Sequence, residues 1–209
     1  MMLEFGSKAK TLQDLQYALS VASIAPMVSF SLADWQLNSR RCIANIKSQL
    51  GDQLLIIRSS CGREDTLETS KAGAFSSVLN VPVTNLSDAI EVVFSSYDVL
   101  DVRDEVLVQP MLDNVVRSGV AFSHDPNTGA PYRIINWTEG SDTTIVTGGR
   151  GGSIWQSAGG IVPPKDCIFA PIVTLLEELL TLFDGSPIDC EFAVTFQSGV
   201  RKLWLLQAR

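Results

Sequence analysis

The sequence predicts an α+β fold whose second half is mainly antiparallel sheet. The chain has 209 residues, of which 45% are apolar and 19% are charged, and this composition favours a folded core over a disordered segment. Apolar residues follow a helical period at several places in the first half, whereas after residue 105 they form short runs separated by turn residues. At this length we expect one large domain or two subdomains that share a core.

The first half is expected to alternate helices with short strands. Its helices are marked by leucines or other apolar residues at helical spacing, and its loops by polar and small residues. The predicted elements, in order, are helices over residues 7–20 and 31–51, a buried strand over 54–57, a polar loop over 58–71, a strand over 76–81 and a helix that begins at Ser87.

The second half is expected to be mainly sheet. Turn chemistry such as Asp125-Pro126-Asn127-Thr128-Gly129 separates short β-like runs, and one amphipathic helix precedes a final hairpin that turns at Ser198-Gly199. The predicted elements are strand-like runs at 106–108, 120–122, 132–135 and 145–146, a helix over 171–183, and two last strands over 188–195 and 202–208.

Charge and cysteine content exclude some classes of partner. The net charge is −7, from 16 basic and 23 acidic residues, which disfavours nucleic-acid binding. The four cysteines have no C-x-x-C spacing and the chain has one histidine, so a zinc site lacks ligands and the cysteines are expected to be reduced thiols.

The sequence shows neither a signal peptide nor a membrane span. The start lacks a basic region followed by a long apolar stretch, and the most apolar late segment, residues 168–183, is interrupted by Glu177 and Glu178. We therefore expect a cytoplasmic protein without a membrane partner.

The terminal hairpin is expected to carry a polar face. Because side chains alternate along a strand, Asp189 and Glu191 share one face. If the turn centres near Gly199, Glu191 lies opposite Gln207 and Asp189 lies opposite Arg209, with all four on that face. The other face is expected to carry the residues Cys190, Phe192, Val194, Trp204, Leu206 and Ala208.

Two interpretations of this polar face remain open from the pattern. Two carboxylates one pleat apart can share Mg²⁺, and a neighbouring guanidinium can bind phosphate oxygens. Alternatively, the four residues form the solvated face of an edge hairpin, with Asp189 and Arg209 as a surface ion pair. A one-residue slip in register would separate the four side chains.

Several short motifs follow one another along the chain. They are Gly6-Ser7-Lys8-Ala9, Arg58-Ser59-Ser60 with Glu64-Asp65, Ser70-Lys71-Ala72-Gly73, Gln109-Pro110-Met111-Leu112, Ser118-Gly119-Val120-Ala121-Phe122-Ser123, Asp125-Pro126-Asn127-Thr128-Gly129, Asp189-Cys190-Glu191-Phe192 and Leu206-Gln207-Ala208-Arg209. Taken in this order, they resemble the N-terminal nucleotide-binding domain of phosphoenolpyruvate synthase and pyruvate phosphate dikinase, an ATP-grasp domain. The resemblance covers nearly the whole chain.

The resemblance implies an ATP-grasp fold of two α+β subdomains, approximately residues 1–108 and 109–209, with the nucleotide between them. It implies that Mg²⁺ and ATP are the cofactors. It also implies that the β-phosphoryl group of ATP passes to a histidine on a separate swivelling domain and then to a small-molecule acceptor, with release of AMP and phosphate.

The resemblance also assigns phosphate-binding roles to residues of the first half. Lys8 and Arg58, together with Arg209 at the end of the chain, would offset phosphate charge as catalytic residues. Gly73 would let the backbone approach the phosphates, and Ser77 and Val78 would lie at the nucleotide. From the residues alone, Lys8 could instead be a solvent-facing helix residue, Arg58 could pair with Glu64 or Asp65, and Gly73 could be a plain turn glycine.

The remaining roles concern the base and the metal. Gln109, Met111 and Leu112 would bind adenine through backbone groups and apolar contact, although core packing explains Met111 equally well. Asp189 and Glu191 would hold Mg²⁺ with Gln207 beside them, and Gln207 and Arg209 would reach the metal-bound phosphates.

Some features depart from the family pattern. The chain is shorter than the family's usual nucleotide domain and shows no G-G-x-x-S/T-H-A phosphohistidine motif; its single histidine, His124, lies at an expected turn. The glycine-rich stretch 148–153 lacks a P-loop ending. Residues 132–137 and 142–148 look closest to the L-glutamine kinase branch. The alternative function is a non-catalytic nucleotide-binding or regulatory module, while the R-S-S and L-Q-A-R motifs argue against carboxylate–amine ligation.

Overall fold

The chain divides into two compact units. The computed structural model describes residues 2–61, 77–97, 99–140 and 152–209. The N-terminal unit comprises Gly6–Lys10 and Ala25–Leu112, and the C-terminal unit comprises Met1–Phe5, Thr11–Ile24 and Asp113–Arg209. The sequence placed the division after residue 108, whereas the units divide after Leu112 and most of the first 24 residues pack with the C-terminal half.

The N-terminal unit contains a four-stranded antiparallel sheet and two long helices. The strand order is β1-β4-β2-β3. Its elements are β1 (Val28–Ser31), α2 (Leu32–Leu50), β2 (Leu55–Ser60), β3 (Ser77–Val81), a short 3₁₀ helix (Val83–Asn85), α3 (Leu86–Ser95) and β4 (Glu105–Pro110), and α1 (Lys8–Leu15) begins in this unit.

Helix α2 has clear start and stop signals. Ser31 caps its first turn by accepting a hydrogen bond from the Asp34 amide, and the Asp34 carboxylate accepts one from the Ser31 amide, which together form a capping box. Gly51 ends the helix with φ +72°, a conformation that favours glycine. The helix is kinked at Asn38, where φ is −159° and ψ is 79°.

The sheet of this unit has two different faces. Leu55 and Ile57 of β2 are fully buried in the core that α2 and α3 form with the sheet. Because side chains alternate, the neighbouring Arg58 lies on the opposite face. Its register partners are Leu107 on β4 and Ser77 on β3, which share that face.

The C-terminal unit contains a five-stranded antiparallel sheet with order β7-β6-β5-β8-β9. One face is covered by a helix, which packs through Phe169, at its N-terminal end, against Trp137 and Trp155 at ring-centroid distances of 5.3 and 5.4 Å. The elements are β5 (Val115–Phe122), β6 (Tyr132–Glu139), β7 (Ser153–Ala158), α4 (Ala170–Leu182), β8 (Asp189–Gln197) and β9 (Val200–Ala208).

We name the other face of this sheet the carboxylate face, because Asp189 and Glu191 lie on it. Cys190 and Phe192, between and beside these acids on β8, are buried on the face that carries α4. Strand alternation therefore directs the two carboxylates away from the helix.

The terminal hairpin turns at Ser198-Gly199, as predicted. Both residues have positive φ, 52° and 81°, and Gln197 pairs with Val200, which is the arrangement of a two-residue hairpin loop with matching twist. A register shift then occurs between Glu191 and Phe192.

This shift is a β-bulge that sets the register of the polar residues. Phe192 pairs with Leu205 and Glu191 pairs with Gln207, so Leu206 is the extra residue on β9. The predicted pairing of Glu191 with Gln207 and of Asp189 with Arg209 is confirmed. The expectation that Trp204 shares a face with Ala208 was wrong, because the bulge places Trp204 opposite Ala193, on the carboxylate face.

Two strands were missing from the sequence prediction. These are β1, which has only four residues, and β7, which mixes two serines and a glutamine with three apolar residues. The strand expected at 145–146 lies outside the described residues. In the ranges that the structure covers, no helix has the length and apolar character needed to cross a membrane.

Candidate functional site

The carboxylate face brings together the four polar residues predicted at the end of the chain. Glu191 and Gln207 are direct register partners on β8 and β9, so their side chains lie on the same face about 5 Å apart at Cβ. Asp189 is two residues before Glu191 and therefore shares the face. Gln207 is 7% exposed, so the hairpin itself restricts where its amide can point.

Asp189 and Arg209 form an ion pair. Arg209 Nε donates to both carboxylate oxygens of Asp189 at 2.9 Å, and the backbone groups of the two residues also bond to each other at 2.8 and 3.0 Å. The side chains are 25% and 48% exposed, so the pair contributes little to stability. This is the surface pair that the sequence left open, and it holds Arg209 at the edge of the polar face.

The donor set fits Mg²⁺ better than a softer metal. Glu191, Asp189 and the Gln207 carbonyl offer oxygen atoms, and a carboxylate has more acceptor positions than one guanidinium occupies. Mg²⁺ binds through one or two carboxylates and completes its shell with phosphate and water. Across the described residues there is no group of three or more His, Cys, Asp or Glu side chains suited to a metal.

Cys190 lies on the opposite side of β8 from the two carboxylates, and their charge affects the pKa of its thiol. Burial raises the pKa of its thiol strongly, and the charges of Asp189 and Glu191 raise it further. Cys190 is therefore a protonated, unreactive core residue, not a nucleophile.

The N-terminal unit holds two buried cations at the end of β2. Lys8 and Arg58 are 8% and 9% exposed. Lys8 Nζ donates to the Ser59 carbonyl at 3.2 Å, and the Ala9 amide donates to Ser60 Oγ at 2.9 Å. These bonds fix the start of α1 to β2, so that both positive charges stay near the same strand end.

Further predicted residues share the Arg58 face of the sheet. Ser77 is the register partner of Arg58, and Gln109 lies two residues after Leu107 on β4, on the same face. Gln109 is 4% exposed, and its Nε2 donates to the Ala25 carbonyl at 3.4 Å.

Two other predicted residues are not brought to this face. Val78 packs against the hydrophobic core on the helix side, so its side chain points away from the Arg58 face. Gly73 lies outside the described residues.

The segment after β4, residues 111–112, uses one of its backbone amides in a hydrogen bond within the fold. The Met111 amide donates to the Leu54 carbonyl at 2.9 Å, so this amide is not a donor for adenine in the arrangement described. The side chains of Met111 and Leu112 are half-buried.

Two residues at these sites escaped the sequence analysis. Tyr97 links the Ser60 amide, which donates to its hydroxyl at 3.0 Å, to the Glu105 carbonyl, which accepts from that hydroxyl at 2.6 Å. Asn136 lies on the carboxylate face and has a buried Oδ1. No local pattern marks Tyr97, whereas strand alternation and the register of β6 could have pointed to Asn136.

Comparison with solved structures identifies the fold. The chain is similar to D-alanine–D-alanine ligase from Helicobacter pylori (14% identity, TM-score 0.52, 97% of this chain and 53% of that chain). It is also similar to the D-alanine–D-alanine ligase from Coxiella burnetii (12%, 0.55, 96% and 46%) and to PH1788 from Pyrococcus horikoshii (15%, 0.57, 96% and 87%). The chain spans about half the length of the two ligases, and at these identities the likeness shows the ATP-grasp fold alone.

Sequence comparison identifies the family. No curated protein matches the chain significantly. The family described as "Pyruvate phosphate dikinase, AMP/ATP-binding domain" matches residues 33–152, which is more than half of the chain. The match includes α2, β2, the segment after β4 and the β5–β6 pair. The chain therefore belongs to the pyruvate phosphate dikinase AMP/ATP-binding domain family.

Proposed function

We propose that this chain binds Mg·ATP and is the ATP-using part of a dikinase-type phosphotransferase. The β-phosphoryl group passes to a histidine on a separate swivelling domain and from there to a small-molecule acceptor. In the first step a histidine nitrogen bonds to Pβ while the bond from Pβ to the α-phosphate oxygen breaks, which releases AMP. Water then cleaves the Pβ–O–Pγ linkage and releases phosphate.

The observation that carries the proposal is the bulge-set pairing of Glu191 with Gln207 in a chain of this nucleotide-binding family. The pairing puts a carboxylate and an amide side by side, and Asp189 adds a second carboxylate on the same face. These residues would hold Mg²⁺, which when bound neutralises phosphate charge and orients the transferring group.

The cations supply the rest of the charge balance. Lys8 and Arg58, fixed near the end of β2, would bind phosphate oxygens, and Arg209, which Asp189 holds in place, would bind a phosphate near the metal. Phosphoryl transfer depends mainly on such positioning and on charge stabilisation. Removal of either buried cation should therefore weaken binding of the triphosphate more than binding of adenosine.

The remaining predicted residues would bind the adenine base and the outer phosphates. Met111 and Leu112 offer half-buried apolar side chains to adenine, and Gln109 holds the strand that leads to them. Ser77, beside Arg58, would contact the nucleotide together with Gly73 and the backbone of Val78.

The test uses labelled ATP to trace which phosphoryl group reaches the histidine. The chain is mixed with Mg·ATP labelled at either the β- or the γ-phosphate, with and without a histidine-bearing swivelling domain from a family enzyme. We expect acid-labile label to stay on the histidine from β-labelled ATP, and label from γ-labelled ATP to pass through the histidine and end as free phosphate. AMP is the expected nucleotide product, with little turnover by the chain alone.

Variants separate the ATP-binding role from the transfer step. Lys8→Ala and Arg58→Ala should lower transfer at fixed ATP, whereas Lys47→Ala, an exposed lysine on α2, serves as the matched control. Formation of ADP, or direct phosphorylation of a small molecule by the chain alone, would contradict the proposal. Saturable ATP binding without any transfer would favour the non-catalytic nucleotide-binding module.

A further inference from the structure

A single row of residues crosses the five-stranded sheet on the carboxylate face. The row is formed by register partners on successive strands: Ile154 pairs with Asn136, Asn136 with Val120, Val120 with Glu191, and Glu191 with Gln207. Directly paired residues of an antiparallel sheet project from the same face. The row therefore places the Asn136 amide on the same face as the Glu191–Gln207 pair, with the small, partly buried Val120 between them.

The side chain of Asn136 carries an unsatisfied polar atom. Its Oδ1 is buried, and within residues 2–61, 77–97, 99–140 and 152–209 no group donates a hydrogen bond to it. A buried acceptor without a donor costs about 1–3 kcal/mol. Because the fold keeps this costly atom beside the candidate metal residues, it calls for a ligand that brings a donor.

The geometry restricts what that donor can be. Asn136 and Glu191 are two strands apart, about 9.6 Å between their backbones. An Mg²⁺ ion binds oxygen at about 2.1 Å, and a metal-bound water bonds to an acceptor at about 2.8 Å. The chain Glu191 oxygen, Mg²⁺, water, Asn136 Oδ1 is therefore about 7 Å long, and the lengths of the two side chains cover the rest.

The chemistry also favours a metal-bound water. An amide oxygen cannot accept a hydrogen bond from a phosphate oxygen, because ionised phosphate oxygens are acceptors themselves. Mg²⁺ usually keeps several waters when one or two carboxylates hold it, and each of these waters is a polarised donor.

We propose that Asn136 is an outer-sphere metal residue, whose Oδ1 accepts a hydrogen bond from a water of the Mg²⁺ that Glu191 and Gln207 bind. This inference rests on the proposed function. Asn136 would then orient a metal-bound water on the Val120 side of the Glu191–Gln207 pair.

The test measures metal binding and not turnover. ATP affinity is titrated in the presence of EDTA and at increasing Mg²⁺, for the parent chain and for Asn136→Ala, Asn136→Asp and the control Thr138→Ala, which changes the next residue on the same strand face. Thermal unfolding confirms the fold of each variant. Mg²⁺ is expected to strengthen ATP binding. We expect Asn136→Ala to raise the Mg²⁺ concentration that gives half of this strengthening about tenfold, and to leave the ATP affinity without metal unchanged.

The aspartate variant gives the opposite expected sign. Asn136→Asp keeps the acceptor and adds a negative charge facing the ion, so it should lower the required Mg²⁺ concentration. Equal weakening with and without Mg²⁺ would overturn the inference and assign Asn136 to a nucleotide hydroxyl. The inference would also be overturned if both Asn136 variants had the same Mg²⁺ dependence of ATP binding as the parent chain while Glu191→Gln lost it. Absence of Mg·ATP binding by the parent chain would instead contradict the proposed function.

Discussion

At the scale of single residues, Gly119 occupies a position in the C-terminal sheet that has no room for a Cβ atom. A Cβ at this position would lie 2.2 Å from the Asn136 carbonyl oxygen and 2.9 Å from the Trp137 Cα. Both contacts are backbone atoms of the neighbouring strand β6, which cannot move aside as a flexible side chain can. The glycine therefore allows β5 and β6 to approach closely next to Asn136.

We predict that Gly119→Ala destabilises the chain by at least about 1–3 kcal/mol, the usual cost of overpacking. The free energy of unfolding is measured in urea. Gly6→Ala is the control, because its Cβ would meet no backbone atom of a neighbouring strand. It would meet only Lys10 Cγ at 2.9 Å, which can turn aside, and Lys10 Cβ at 3.2 Å, which must shift by a few tenths of an ångström. If Gly119→Ala unfolded at the same urea concentration as the parent chain, the close approach of the two strands would be refuted.

Residue identity also explains why some site residues could be predicted and others could not. Glu191 and Gln207 sit in a short motif and on a strand whose alternation is visible in the sequence. Tyr97 acts through its hydroxyl on Ser60 and Glu105, which are distant in sequence or on another element. Such a role follows from the tertiary fold and leaves no local pattern.

At the scale of elements, the terminal hairpin shows what a pattern can and cannot fix. The Ser198-Gly199 turn and the opposition of Glu191 to Gln207 were both predicted. A two-residue turn without a bulge, however, would pair Gln207 with Cys190 on the core face. The bulge at Leu206 restores the pairing of Glu191 with Gln207. No local pattern predicts this bulge, because a bulge depends on how two strands pack.

Strands β1 and β7 escaped prediction because their hydrophobic patterns are weak. β1 has only four residues, and three of the six residues of β7 are polar. Runs this short or this mixed give little hydrophobic periodicity. Helix α2, by contrast, was predicted within one residue at each end, because its cap residues Ser31 and Gly51 are explicit.

The capping box of α2 is testable through stability and pH. We predict that Ser31→Ala lowers the free energy of unfolding by about 1 kcal/mol at pH 7. The Ser31 hydroxyl and amide lower the pKa of Asp34, so the Asp34 contribution is full above the ordinary carboxyl pKa. It is lost as the pH falls through the lower folded value.

The loss caused by Ser31→Ala should therefore shrink at acidic pH. Urea unfolding at pH 7 and pH 3 measures it, with Ser48→Ala, an exposed serine in the same helix, as the control. An equal loss at both pH values would show that the Asp34 carboxylate does not take part in the cap.

At the scale of the whole molecule, the N-terminal segment could not be assigned from the sequence. Ser23 pairs with β9 through bonds to Leu203 and Leu205, each 2.9 Å long, and Glu178 on α4 accepts bonds from the amides of Ser20 and Val21. These contacts join residues more than 150 positions apart, so no local pattern reveals them. They explain why most of the first 24 residues belong to the C-terminal unit.

The central claim is that the terminal hairpin makes ATP binding depend on Mg²⁺, and calorimetric titration of ATP with and without Mg²⁺ tests it most directly. The titration compares the parent chain with Glu191→Gln and with Glu91→Gln, an exposed glutamate on α3 as the control. We predict that Mg²⁺ strengthens ATP binding by the parent and the control, and that Glu191→Gln reduces this enhancement at least about tenfold. Equal enhancement in Glu191→Gln and the parent would contradict the account.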